Sequence, residues 1–145
     1  MSKMNILLCG GGTGGHYYPL MAIKKDLYSK SDFNFCYVGA KKGIENSKIE
    51  NENIEYKLIT ISGLNRKLTF KFILKNLKLF INIIFGFFSV VIFFIKQKPN
   101  LVISTGGYSS FLPLMVAKIL RVPYLLHEQN SYPGIVTKIF SKKAK

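Results

Sequence analysis

"NILLCGGGTGGHYYP", residues 5 to 19, decides the fold. The apolar run 5–10 reads as a buried strand, and it stops in a loop where five glycines fall within six positions, Gly10 to Gly15. "PLMAIKKDLYSK" (19–30) follows with helical spacing and a proline suited to the first helical turn. Strand, glycine loop and helix in that order open a βαβ unit.

The same alternation continues along the chain. "FNFCYVG" (33–39) is a second strand, and a short polar helix candidate leads to a third at about Tyr56 to Ile61. "LVISTGG" (101–107) is a further strand, stopped by glycines and followed by the helical "FLPLMVAKILR". "PYLLHEQN" (123–130) is the last strand, and "GIVTKIFSKKAK" begins a last helix. Near-continuous apolar strands alternating with helices predict an α/β fold built on a doubly wound parallel sheet. At 145 residues the chain has room for one domain, spanning 1–145.

Residues 70 to 98 behave differently. "KFILKNLKLFINIIFGFFSVVIFFIKQK" is first amphipathic, with Lys71, Lys75 and Lys78 at helical spacing, then almost wholly apolar from Ile83 to Ile95. That apolar core is shorter than the roughly 20 residues of a spanning helix. It also joins two strands of one sheet, so a helix with one core face and one membrane-facing face is expected.

Lys and Arg number 21 against 7 Asp and Glu, a formal charge of +14. The excess suits an anionic partner, or reflects drift in a chain rich in Lys, Asn, Ile and Phe. No nucleic-acid reader motif accompanies it. Cys9 and Cys36 lie inside apolar runs without CxxC or His/Cys spacing, as buried reduced thiols would. The apolar stretch at the N-terminus is too short for a signal peptide.

Ligands of an open parallel sheet bind beyond the carboxyl ends of its strands. Three such ends carry unusual chemistry: "GGGTGGH" (10–16), "STGGY" (104–108) and "HEQN" (127–130). Gly10, Gly12 and Gly15 satisfy G-x-G-x-x-G, but the second strand ends in "CYVGAKKG" without the carboxylate that holds a dinucleotide ribose. What remains is an anion site, made of backbone N–H groups and the positive end of the helix beginning near Pro19. Five glycines exceed the one or two that a tight turn needs. His16, at the mouth of the loop, can donate to phosphate or accept a proton. Glu128 is a general-base candidate or a sugar-hydroxyl ligand. His127 faces either the site or the core, and Tyr108 either meets a ligand or caps the following helix.

These stretches together resemble the N-terminal half of the MurG family of N-acetylglucosaminyltransferases. The matching segments are "GGGTGGHYYPLMAI", "GLNRK" and "KPNLVISTGGYSSFLPLMVAKILRVPYLLHEQNSYPG", in family order and across nearly the whole chain. The resemblance implies the Rossmann-like N-terminal half of a GT-B enzyme. That domain supplies most of the acceptor site and the membrane contact, while a C-terminal domain or separate chain supplies most of the donor site. It implies transfer of N-acetylglucosamine from UDP-N-acetylglucosamine to an undecaprenyl-diphosphate-linked muramyl-pentapeptide, in peptidoglycan synthesis. The expected setting is the cytoplasmic face of the cell membrane, bound peripherally at an anionic surface. No metal, no cofactor and no nucleic acid are expected. The matched positions give Thr13, Gly14, Gly15, Tyr108 and Asn130 as substrate-binding candidates, and His16 and Glu128 as catalytic ones. A non-catalytic, acceptor-binding anchor for a second chain is the alternative.

Overall fold

The computed structural model describes residues 3–30, 32–61 and 70–144, and only the backbone of 70–79 and 143. The expected "GLNRK" segment, 63–67, lies outside the described residues.

Five strands form one parallel sheet: β1 (Asn5–Gly10), β2 (Asn34–Ala40), β3 (Glu55–Ile59), β4 (Leu101–Gly106) and β5 (Tyr124–Leu126). Their spatial order is β3-β2-β1-β4-β5. The chain steps outward from β1 on one side, then returns to β1's other side at β4, so the order reverses between β1 and β4. A crevice opens at such a switch point, beyond the carboxyl ends of the two strands.

Alternation along β1 builds two cores. Ile6 and Leu8 face one side, where they pack with Tyr17 and Leu20 of helix α1 (Gly14–Lys30), and with Tyr37, Ile49 and Ile103. Leu7 and Cys9 face the other, with Val90, Phe93 and Phe94 of α2 (Phe70–Gln97) and Leu112, Leu114 and Val116 of α3 (Phe111–Ile119). A strand buried on both faces needs the continuous apolar run that the sequence shows. Helix α4 (Ile135–Phe140) closes the second face by placing Phe140 against Tyr124 and Phe111.

Several boundaries differ from the sequence reading, three of them by more than a fraying end. Helix α1 starts at Gly14 rather than near Pro19: the Thr13 carbonyl accepts from the N–H groups of His16 and Tyr17, both at 3.2 Å, so Thr13 is the N-terminal flank. Pro19 sits in the second turn, where it removes only the bond to the Gly15 carbonyl. The polar helix candidate becomes two 3-10 turns, Ile44–Ser47 and Ile49–Glu52. The last strand ends at Leu126, and "HEQN" is loop.

Helix α2 is two-faced. Val90, Phe93 and Phe94 are buried, whereas Ile81, Ile84, Phe85, Phe88, Ile92 and Ile95 are exposed and recur at helical spacing along the other side. By length and composition alone, Phe80–Gln97 could cross a membrane, but one side of it belongs to the core.

Candidate functional site

The first loop is shaped by a carboxylate that the sequence reading passed over. Glu45 is fully buried, and its oxygens accept from the Gly12 N–H at 2.9 Å and the Ala40 N–H at 2.7 Å. Gly11, Gly39 and Gly43 surround it, and a Cβ on Gly11 would come within 2.5 Å of Oε1. Tyr37 donates from its hydroxyl to the Gly10 carbonyl at 2.8 Å, fixing the loop from the other end.

The glycine count therefore has a different cause from the one expected. A side chain on Gly10 would strike Thr105, on Gly11 Glu45, on Gly12 the Tyr108 ring and on Gly14 the Tyr18 ring. Gly12 also requires the left-handed region, at φ +85°. Gly15 alone has open space before it, its nearest neighbour being Thr13 Oγ1 at 3.8 Å. Four glycines answer the protein's own crowding, and one leaves a free approach. The Gly12 N–H is spent on Glu45, so among the described residues the open donors are those of the first turn of α1, Gly14 and Gly15. Thr13 and Gly15 are exposed beside them.

The second loop comes down on the first. Gly107, at φ +83°, lies so close that a Cβ there would meet the Gly11 carbonyl at 2.5 Å and the His16 ring at 3.1 Å. Thr105 donates from Oγ1 to the His16 carbonyl at 2.6 Å, while its own carbonyl lies 2.7 Å from His16 Nδ1. His16 Nε2 makes no hydrogen bond among the described residues. Tyr108 neither caps α3 nor stands free: its ring covers Gly12. Burial, and then the Glu45 charge, hold its phenol above the ordinary value.

In the third loop the residue that reaches His16 is Gln129, whose amide lies 2.6 Å from Nδ1. Glu128 turns inward on its own loop. Its Oε1 accepts from the backbone and side-chain N–H groups of Asn130 at 3.1 and 2.8 Å, and Oε2 from Gly134 N–H at 3.2 Å. Partial burial raises the Glu128 carboxyl, but these bonds and one from the Thr137 hydroxyl outweigh it and hold the group below its ordinary value. A carboxylate so satisfied is a weak base and a good staple. Asn130 and His127 are exposed, so His127 does not enter the core.

Burial pushes the Cys9 and Cys36 thiols up to about 12, which leaves neither as a nucleophile at neutral pH. Among the described residues no group of three or more His, Cys, Asp or Glu side chains could hold a metal ion. A groove of about 1010 Å³ exists at the opposite edge of the sheet, lined by Lys24, Tyr28, Phe33, Glu52 and Gln97, and it carries none of these residues.

Two outcomes follow from this geometry. Glu45→Ala strips the Gly12 and Ala40 N–H groups of their acceptor and should cost about 2–4 kcal/mol in denaturant unfolding, with Glu45→Gln between it and the parent. Stability unchanged in Glu45→Ala would contradict the staple. Glu128 has a lowered value in the folded loop, so its contribution is present above about pH 4.3 and is lost as pH falls through the lowered value. In an NMR titration the Glu128 carboxyl and the Asn130 and Gly134 amides should share a midpoint below about 4.3; a midpoint at or above it would contradict the loop geometry.

The comparisons with known proteins agree with this architecture. Residues 6–145 match the glycosyltransferase family 28 N-terminal domain. A UDP-N-acetylglucosamine--N-acetylmuramyl-(pentapeptide) pyrophosphoryl-undecaprenol N-acetylglucosamine transferase of Thermoanaerobacter sp. (strain X514) is 40% identical over 143 residues, 98% of this chain and 38% of the relative. Transferases of the same name from Flavobacterium psychrophilum and Bacillus subtilis are 42% and 38% identical, over 99% and 96% of this chain. The chain spans 38% of the length of each. The crystal structure of Acinetobacter baumannii MurG superposes with a TM-score of 0.75 at 28% identity, over 98% of this chain and 40% of that one. The Rossmann-like fold and the resemblance to the MurG family are thus borne out, and the chain belongs to glycosyltransferase family 28 through that family's N-terminal domain.

Proposed function

We propose that this chain is the acceptor-side domain of an inverting N-acetylglucosaminyltransferase that acts on an undecaprenyl-diphosphate-linked muramyl-pentapeptide in peptidoglycan synthesis. The observation that carries the reading is His16 at the β1/β4 switch point, held at Nδ1 and without a partner at Nε2 among the described residues. The names of the relatives supply the substrate class.

In the proposed step the acceptor sugar's 4-hydroxyl oxygen bonds to the anomeric carbon of the donor sugar. The bond from that carbon to the UDP oxygen breaks, and UDP leaves with the electron pair. His16 Nε2 takes the hydroxyl proton as general base. The Gly14 and Gly15 N–H groups and the α1 dipole stabilise diphosphate charge beside it. Thr13, Tyr108 and Asn130 border this space as substrate contacts. Glu128, expected as a rival base, serves instead to shape the loop that carries Gln129. Most of the UDP-N-acetylglucosamine site belongs to a C-terminal domain that the relatives' greater length accommodates.

The acceptor's lipid tail requires a membrane surface, and the exposed side of α2 fits it. Ile84, Phe85, Phe88 and Ile92 form an apolar stripe, and Lys71, Lys75 and Lys78 precede it in the same helix. Apolar insertion with lysines attracting anionic headgroups is the physics of an interfacial helix, each lysine contributing about 1 kcal/mol. Lys138, Lys142 and Lys143 are further candidates from the chain's end.

Two measurements test the reading. In a full-length context, His16→Ala should cut N-acetylglucosamine transfer by on the order of 10²-fold or more, while Glu128→Gln, which loosens the loop that carries Gln129, costs no more than about 10-fold. The reverse pattern would make Glu128 the base. Phe85→Ser combined with Phe88→Ser should weaken co-sedimentation with anionic vesicles by on the order of 10²-fold while the fold persists; undiminished co-sedimentation would move the membrane face off α2.

A further inference from the structure

His16 is gripped at one ring nitrogen by groups from two segments far away in sequence. The Thr105 carbonyl lies 2.7 Å from Nδ1, and the Gln129 side-chain amide 2.6 Å from the same atom. A carbonyl oxygen only accepts, so the Thr105 contact requires a proton on Nδ1. With a proton there, an amide N–H facing it at 2.6 Å would set donor against donor. The Gln129 amide is therefore assigned with Oε1 rather than Nε2 toward the ring, and the network fixes amide and tautomer together. The amide's other end has no hydrogen-bond partner among the described residues, so His16 is the only polar anchor of this side chain.

We propose that Gln129 is a positioning residue: the Thr105 carbonyl sets the Nδ1–H tautomer of His16, and Gln129 holds the ring so that the Nε2 lone pair stays aimed at the acceptor's hydroxyl proton. This rests on the reading of His16 as the base. A histidine serves as base only in the tautomer whose working nitrogen is unprotonated, and the partner of the other nitrogen decides which tautomer forms. Two acceptors on Nδ1 hold both the proton and the ring plane. Glu128 acts one step further out, because the loop it staples is the loop that delivers Gln129.

The test uses Gln129→Leu, which removes the acceptor at similar volume, and Gln129→Glu, which restores an oxygen. Long-range proton–nitrogen spectra of the chain with nitrogen-labelled histidine report which His16 nitrogen carries the proton. The parent, Gln129→Glu and Gln129→Leu should all show the Nδ1–H form with an unchanged fold, because the Thr105 carbonyl remains beside Nδ1 in each. In a full-length context Gln129→Leu should lower kcat about 10-fold with little change in KM, and Gln129→Glu should recover most of it. An Nε2–H parent, or a Gln129→Leu kcat equal to the parent's, overturns the proposal. If the spectra behave as expected but His16→Ala retains turnover, the base assignment fails while the lock on the ring stands.

Discussion

Everything at the carboxyl edge of this sheet depends on the pairing of β1 with β4. The two strands run side by side, and their register slips between Cys9 and Gly10 so that Gly10 lies opposite Gly106. From there the chain must leave in two directions, to α1 over one core and to α3 over the other. The two departing loops come closest where a side chain is absent: Gly107 rests on the Gly11 carbonyl and on the His16 ring. A close backbone approach of this kind is possible for glycine and for little else. It also sets the distance between His16 and Thr105, and so the chemistry of the imidazole.

The polar groups around that contact solve a second problem. Loops pressed together away from water leave N–H and carbonyl groups that need partners. Glu45 supplies them from a 3-10 turn, Tyr37 from β2 and Thr105 from β4. The site is therefore braced by three elements before any ligand arrives. Such bracing is the condition for an electrostatic site that need not reorganise when charge develops.

The fold was legible because its signal is periodic. Strands buried on both faces must be continuously apolar, and helices between them must cross the sheet, so "NILLCG", "LVISTGG" and the helical stretches were readable from composition and spacing. The ends of elements were not. Pro19 suggests a helix start, yet the glycines before it can be helical too, and the Thr13 carbonyl accepts the first bonds one turn earlier. The glycine run marks the β1/β4 crevice but not the cause of each glycine, since the sequence does not tell a glycine needed by a ligand from one needed by Glu45. Glu45 and Gln129 escaped because their roles are long-range: nothing near "IENS" or within "HEQN" marks which side chain turns inward. A polar residue in a loop that follows a buried strand is the signal that was available, and Glu128 fitted it as well as Gln129 did.

The most direct measurement of the central claim, that this edge is an anion site made by the first turn of α1, is a titration of the nitrogen-labelled chain with inorganic diphosphate. At low salt, the backbone amide resonances of Gly14 and Gly15 should move together and saturate, because no group among the described residues accepts from their N–H donors. Gly12, whose N–H is held by Glu45, should move less. Unmoved Gly14 and Gly15 amides, with shifts confined to distant lysines, would contradict the account.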